Sequence, residues 1–244
     1  MNEIIQFSEA HWESLLASVW FLICFYGYMF YSKHMALTTH CLSSVLHQYR
    51  QEWMTHMLSR DVRVADTTVL ANLERSVAFF ASSTMLVLAG LMTVMGSTDK
   101  VIDMVADVPF ANVASRAEWE MKLLLLVGLF MYAFFKFTWS LRQYGFCAVM
   151  LGGAPTPDNQ VSERERKAYA IRIARVASLA ANNFNQGLRT YYFSLAVIGW
   201  FINPWLFMGL STGIVWVLYR REFKSRTLEE LITSRAEDGT VDSL

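Results

Sequence analysis

Charge is scarce in this sequence. Only 17% of its 244 residues are charged, against 54% apolar and 14% aromatic, where a soluble domain carries closer to about 25% charge. Four stretches, Ser14 to Ser32, Val77 to Ser97, Leu123 to Phe135 and Thr190 to Tyr219, contain no Asp, Glu, Lys or Arg. Uncharged runs of roughly 18 or more residues read as membrane spans. Net charge is absent as well: 21 basic and 21 acidic residues cancel, so no global field would gather nucleic acid or an acidic substrate. Cysteine is limited to Cys24, Cys41 and Cys147, an odd, scattered set without a C-x-x-C pair, which suggests ordinary buried thiols and neither a disulfide framework nor a zinc site. The first fourteen residues hold Glu3, Glu9 and Glu13 but no Lys or Arg, the reverse of a signal peptide's basic start, so the first apolar run is expected to stay as a helix. No G-x-S-x-G, P-loop, dinucleotide fingerprint or H-E-x-x-H is present, and we expect a non-enzymatic chain with no cofactor and no metal.

What remains is an all-α, polytopic helical bundle. The first span is expected at about 15–32, with Trp12, Trp20, Tyr28 and Tyr31 toward its ends, where amphipathic rings favour the interface. Leu42, Val45, Leu46, Tyr49, Trp53 and Met57 recur at helical spacing and predict an amphipathic helix at about 36–58. Asp66 is the expected N-cap of a helix running into a second span at about 77–95. An acid-biased interfacial helix at about 99–108 precedes a turn at Pro109, and a third span covers about 121–142. Gly152, Gly153, Pro155 and Pro157 end that helix. Ser162 and Glu165 form a capping-box pattern opening a basic amphipathic helix at about 162–181, in which Ala170, Ala174, Ala177 and Ala181 make a strip small enough for close packing.

The last uncharged stretch, about 30 residues, would be about 45 Å long as one helix, more than a hydrocarbon core of about 30 Å needs. Asn203 and Pro204 lie at its middle and favour a break into spans at about 184–202 and 205–223; a single kinked, tilted helix, giving four spans in all, is the rival. Charge placement favours five. Lys33 to Arg75 holds five basic residues and Arg142 to Arg189 seven, and Arg220, Arg221, Lys224 and Arg226 follow the last run. By the positive-inside rule the N-terminus is then outside and the C-terminus cytoplasmic, in a bacterial inner membrane.

Several blocks carry a family likeness: Tyr49-Arg50 with Trp53-Met54, Phe79 to Thr84, Ala133 to Arg142, Phe184-Asn185 with Gly187 to Arg189 and Tyr191 to Phe193, Asn203 to Phe207, and Tyr219 to Phe223. Together they resemble the family of bacterial and plant membrane proteins known as domain of unknown function 599. The resemblance implies a multi-span membrane protein and supplies no reaction, substrate or cofactor, so no functional residue is carried over from it.

The candidate chemistry is a polar layer. Glu74, Arg75, Lys136, Arg142, Asn183, Asn185 and Arg189 all fall near the inner ends of the expected spans. Charges at membrane depth pair, meet lipid phosphates or line a pathway, because exposure to hydrocarbon is costly. Glu74 is the acidic member and is expected to pair with Lys136, Arg142 or Arg189. His34, His40, His47 and His56, with Cys41, Met54 and Met57, could suit a soft metal by residue type, but their spacing does not, and solvated or interfacial histidines are the expectation. Ser82, Ser83 and Thr84 are read as packing groups able to hydrogen-bond across helices. The reading that follows is an accessory, scaffold or lipid- and partner-binding membrane protein. Its partners would be membrane lipids and either a second copy or another membrane protein. The alternative is a homo-oligomeric channel or small transporter for an anion or small solute, built on the polar layer beside the broken helix pair.

Overall fold

The computed structural model describes residues 2–38, 41–98, 102, 115–157 and 161–237. These form helices α1 (Asn2–Thr38), α2 (Leu42–Leu58), α3 (Val64–Met95), α4 (Arg116–Gly152), α5 (Glu163–Ile202), α6 (Pro204–Phe223) and α7 (Arg226–Glu237), and no strand occurs among the described residues. Three helical stretches are long and apolar enough to cross a membrane: Trp12–Met35, Val64–Met95 and Arg116–Gly152. The interfacial helix expected at about 99–108 lies outside the described residues except for Ile102.

Several boundaries differ from the sequence expectation. The chain is helical up to Thr38 and α2 begins only at Leu42, where the Cys41 amide donates to Ser44 Oγ at 3.0 Å. Asp66 is no N-cap: α3 has already begun at Val64, and the Asp66 carboxylate accepts bonds from Trp53 and Arg60 instead. Helices expected separately at 162–181 and 184–202 are one continuous α5. The asparagines between them do not break it, because Asn183 turns its amide back onto the Leu179 carbonyl at 3.0 Å and Asn182 accepts the Ser43 hydroxyl at 3.1 Å. Its start is the capping box read from the sequence. The Ser162 amide donates to Glu165 Oε2 at 3.1 Å and the Glu165 amide to Ser162 Oγ at 3.3 Å. The same Ser162 hydroxyl and amide hold the Glu165 carboxyl below its usual range.

The chain divides into two compact units. The first comprises Met1–His34, Thr84–Ala133 and Leu188–Tyr219. Its core is aromatic: Phe21, Phe193, Phe207 and Trp200 are buried together, with Phe21 5.0 Å from Phe207 and 5.9 Å from Phe193 between ring centroids. In lipid such contacts act through close packing, since hydrocarbon outside is as apolar as the core. The contacts also fix direction. Trp12 meets Trp205 and Tyr31 meets Tyr219, so α1 and α6 run parallel, whereas Phe21 and Phe25 meet Phe193 and Tyr28 meets Arg189, so α1 and α5 run antiparallel. The chain therefore reverses between α5 and α6, at Asn203. The Asn203 side chain accepts the Trp205 amide at 2.8 Å and Pro204 occupies the first helical position, the two placements each residue suits best. A Cβ on Gly199 would lie 2.6 Å from Leu210, so glycine is what lets the two arms of this hairpin close. Across the unit Thr84, buried, shares its hydroxyl with Tyr191 at 2.6 Å.

The second unit comprises Met35–Ser83, Phe134–Gly187 and Arg220–Leu244. Here α4 and α5 run antiparallel: Ser140 donates to the Ala180 carbonyl at 2.7 Å and Tyr169 to the Met150 carbonyl at 2.8 Å. Phe137 packs on Phe80 and Phe184, and a Cβ on Gly187 would intrude on its ring. Ala170, Ala174, Ala177 and Ala181 are all buried, so the alanine strip is the packed side of α5. Helix α2 lies antiparallel on α5, with Ser43 on Asn182, His47 on Ser178, and Arg166 donating to the Leu58 carbonyl. Tyr49 ties α7 to α2 through the Leu231 carbonyl at 3.1 Å.

Candidate functional site

Two polar clusters in the second unit stand out from this packing. The first lies on α4, where Lys136, Ser140, Gln143 and Cys147 recur at three- and four-residue steps. Lys136 Nζ approaches Asn183 Oδ1 at 3.4 Å, and Asn183 Nδ2 donates to Gln143 Oε1 at 2.9 Å. Lys136 is half-buried and Gln143 buried, so the apolar stem sinks into the bundle while the ammonium meets the Asn183 amide.

The other residues of the expected layer do not converge on it. Arg75, Arg142 and Asn185 are exposed, with the Arg142 guanidinium 5.8 Å from the Phe146 ring. Arg189 belongs to the first unit, 5.5 Å over the Tyr28 ring. The expected ion pair of Glu74 is not formed. Glu74 is half-buried, and the neighbour it influences is the Cys147 thiol. Among the described residues Arg60 pairs with Asp66 at 2.7 Å and Arg116 with Glu120 at 2.8 Å. Of the cations expected to meet it, Lys136 reaches Asn183, Arg142 is exposed beside Phe146, and Arg189 lies over the Tyr28 ring.

The second cluster joins α2 to α5. His47 Nδ1 lies 2.8 Å from Ser178 Oγ, Arg50 Nη1 donates to the same oxygen at 3.4 Å, and Gln51 Nε2 lies 3.0 Å from His47 Nε2. With the Gln51 amide donating, the imidazole is neutral and carries its hydrogen on Nδ1. Burial, then Arg50 and Arg175, lower the His47 pKa; burial also lowers that of Arg50, which Tyr144 partly offsets. Of the other histidines, His34 stacks on Phe30, His56 is exposed and His40 lies outside the described residues. No group of three His, Cys, Asp or Glu among the described residues is placed to hold a metal.

The model of a protein family of unknown function, DUF599, matches residues 16–227. The chain belongs to that family. No curated protein and no solved structure matches it.

Four ionic groups have partners that local sequence did not show, although Asp66 was read there as a cap. Lys122, 4% exposed, donates to the Trp200 carbonyl. Asp66, 1% exposed, receives Trp53 and Arg60. Arg63 clasps the carbonyls of Ala154 and Pro155, and Arg166 those of Leu58 and Pro157. Each sits beside a helix end, in a polar stretch where a charge looks ordinary. Only the fold reveals the partners: backbone carbonyls for Lys122, Arg63 and Arg166, and the Trp53 indole and Arg60 for Asp66.

Proposed function

We propose that the chain is a non-enzymatic accessory protein of a bacterial inner membrane, crossing it five times with its C-terminus cytoplasmic and binding anionic lipid or a partner through α5. The observation that carries this reading is the two-sided first half of α5. Its alanine strip is buried while Arg164, Arg172 and Arg175 are exposed on the side away from the strip and Lys167 is exposed at its edge. A rigid helix holding four cations outward offers a surface worth about 1 kcal/mol per basic residue near an anionic leaflet. The hairpin at Asn203 and the basic flanks of α6, with Arg220 and Arg221 in its last turn, support the five-crossing topology.

The test is thermal stability in nanodiscs of phosphatidylcholine alone or mixed with phosphatidylglycerol. The anionic lipid should raise the melting temperature, and reversing Arg164, Lys167 and Arg172 to Glu should cancel the gain. Equal melting in both lipids would remove this function.

A second reading, a homo-oligomeric anion channel or small transporter, draws on Lys136, a half-buried cation with amide partners. Anion flux into reconstituted liposomes that changes with Lys136→Ala would favour it. No flux from the parent would end it for the ions tested.

A further inference from the structure

His47, Arg50, Arg175 and Ser178 have an unusual balance of hydrogen-bonding groups. Arg50 is half-buried and Ser178 buried. The Ser178 oxygen already accepts from His47 and Arg50, which leaves its own hydroxyl hydrogen unspent. Among the described residues neither Arg50 nor Arg175 makes an ion pair. The titratable and charged groups that act on His47 and Arg50 are Arg50 and Arg175 themselves and the Tyr144 phenol from α4; no carboxylate is among them. The Arg50 guanidinium, the His47 Nδ1 hydrogen and the Ser178 hydroxyl therefore converge as donors, the exposed Arg175 adds its charge nearby, and among the described residues no ion pair offsets either guanidinium. Partly buried cations without a counter-charge are costly, and guanidinium forks match a phosphate's oxygens well.

We propose that His47, Arg50, Arg175 and Ser178 form a binding site for a phosphate monoanion or diester, bridging α2 to α5. The proposal deepens the anionic-lipid reading, since Arg175 belongs to the exposed basic side of α5. The source of the phosphate is either a lipid headgroup or a free phosphate. Binding should tighten as pH falls, because protonating His47 adds a positive charge beside Arg50.

The experiment uses the full chain in detergent. Phosphatidylglycerol and phosphatidylcholine are titrated and counted by native mass spectrometry, and inorganic phosphate is titrated calorimetrically. Arg50→Gln and Arg175→Gln should each weaken binding at least about tenfold, with Arg50→Lys retaining more. Because Arg175 is exposed, its variant tests the site even if Arg50→Gln folds poorly. Selective retention of phosphatidylglycerol that inorganic phosphate does not displace assigns the site to a lipid headgroup; saturable binding of inorganic phosphate assigns it to the free anion. Unchanged affinity in Arg175→Gln and in a folded Arg50→Gln, or no binding of either probe by the parent, would overturn the site. If phosphatidylglycerol fails to stabilise the protein in nanodiscs while Arg50-dependent phosphate binding persists, the surface reading falls and the site stands.

Discussion

Lys122 Nζ donates to the backbone carbonyl of Trp200 at 3.2 Å and lies 5.4 Å from the centroid of the same residue's indole ring. The carbonyl belongs to the last turn of α5, where helical carbonyls have no partner within the helix and the helix dipole favours a cation. A buried lysine thus closes one end of the hairpin that Asn203 turns. Lys122→Met keeps the length and removes the donor, leaving that carbonyl unsatisfied, and should cost about 1–3 kcal/mol. A melting temperature in detergent equal to the parent's would show that the lysine does not cap this helix.

Ala174 has no exposed surface. Ala174→Leu should overpack the buried strip of α5 and destabilise the protein by about 1–3 kcal/mol, whereas Arg172→Leu on the exposed side should not. The check is the same melt. Equal stability for the two variants would contradict the packing.

His47 makes stability depend on pH in a direction that follows from its lowered pKa. The folded state accepts the proton less readily than the unfolded chain, whose imidazole has the ordinary value of 6.5. The His47 contribution is therefore fully present above that value and is lost as pH falls through the lower folded-state pKa. In phosphate-free buffer the parent should lose stability between neutral and mildly acidic pH more steeply than His47→Gln. Parallel profiles would remove His47 as the group responsible.

The hairpin predicts surface access as well as stability. In the five-crossing topology a cysteine at Asn203→Cys should react with an impermeant thiol reagent from outside intact cells, and one at Ser225→Cys should be spared. The opposite pattern would invert the orientation, and labelling of both or neither would contradict the reversal across the membrane.

Much of this architecture was legible from local chemistry. The first three uncharged runs, the Ser162–Glu165 capping box, the alanine strip and the break at Asn203-Pro204 each rest on a few neighbouring residues, and each stands where those residues placed it. Long-range partners were not legible. Glu74 and Lys136 looked like a pair by charge, yet Lys136 reaches Asn183, because helix rotation decides which way each long side chain points. Asp66 looked like a cap by type, but Trp53 and Arg60 from the preceding helix and turn claim its carboxylate. The cluster around Ser178 was invisible for the same reason: His47 and Ser178 lie far apart in sequence and meet only because α2 lies back along α5.

The central claim is that the exposed basic side of α5 engages an anionic surface, and hydrogen exchange tests it most directly. Backbone amides of residues 163–181 should exchange more slowly in nanodiscs containing phosphatidylglycerol than in phosphatidylcholine alone. The difference should vanish when Arg164, Lys167 and Arg172 are reversed to Glu. Identical exchange of this segment in both lipids, with the parent sequence intact, would contradict the account.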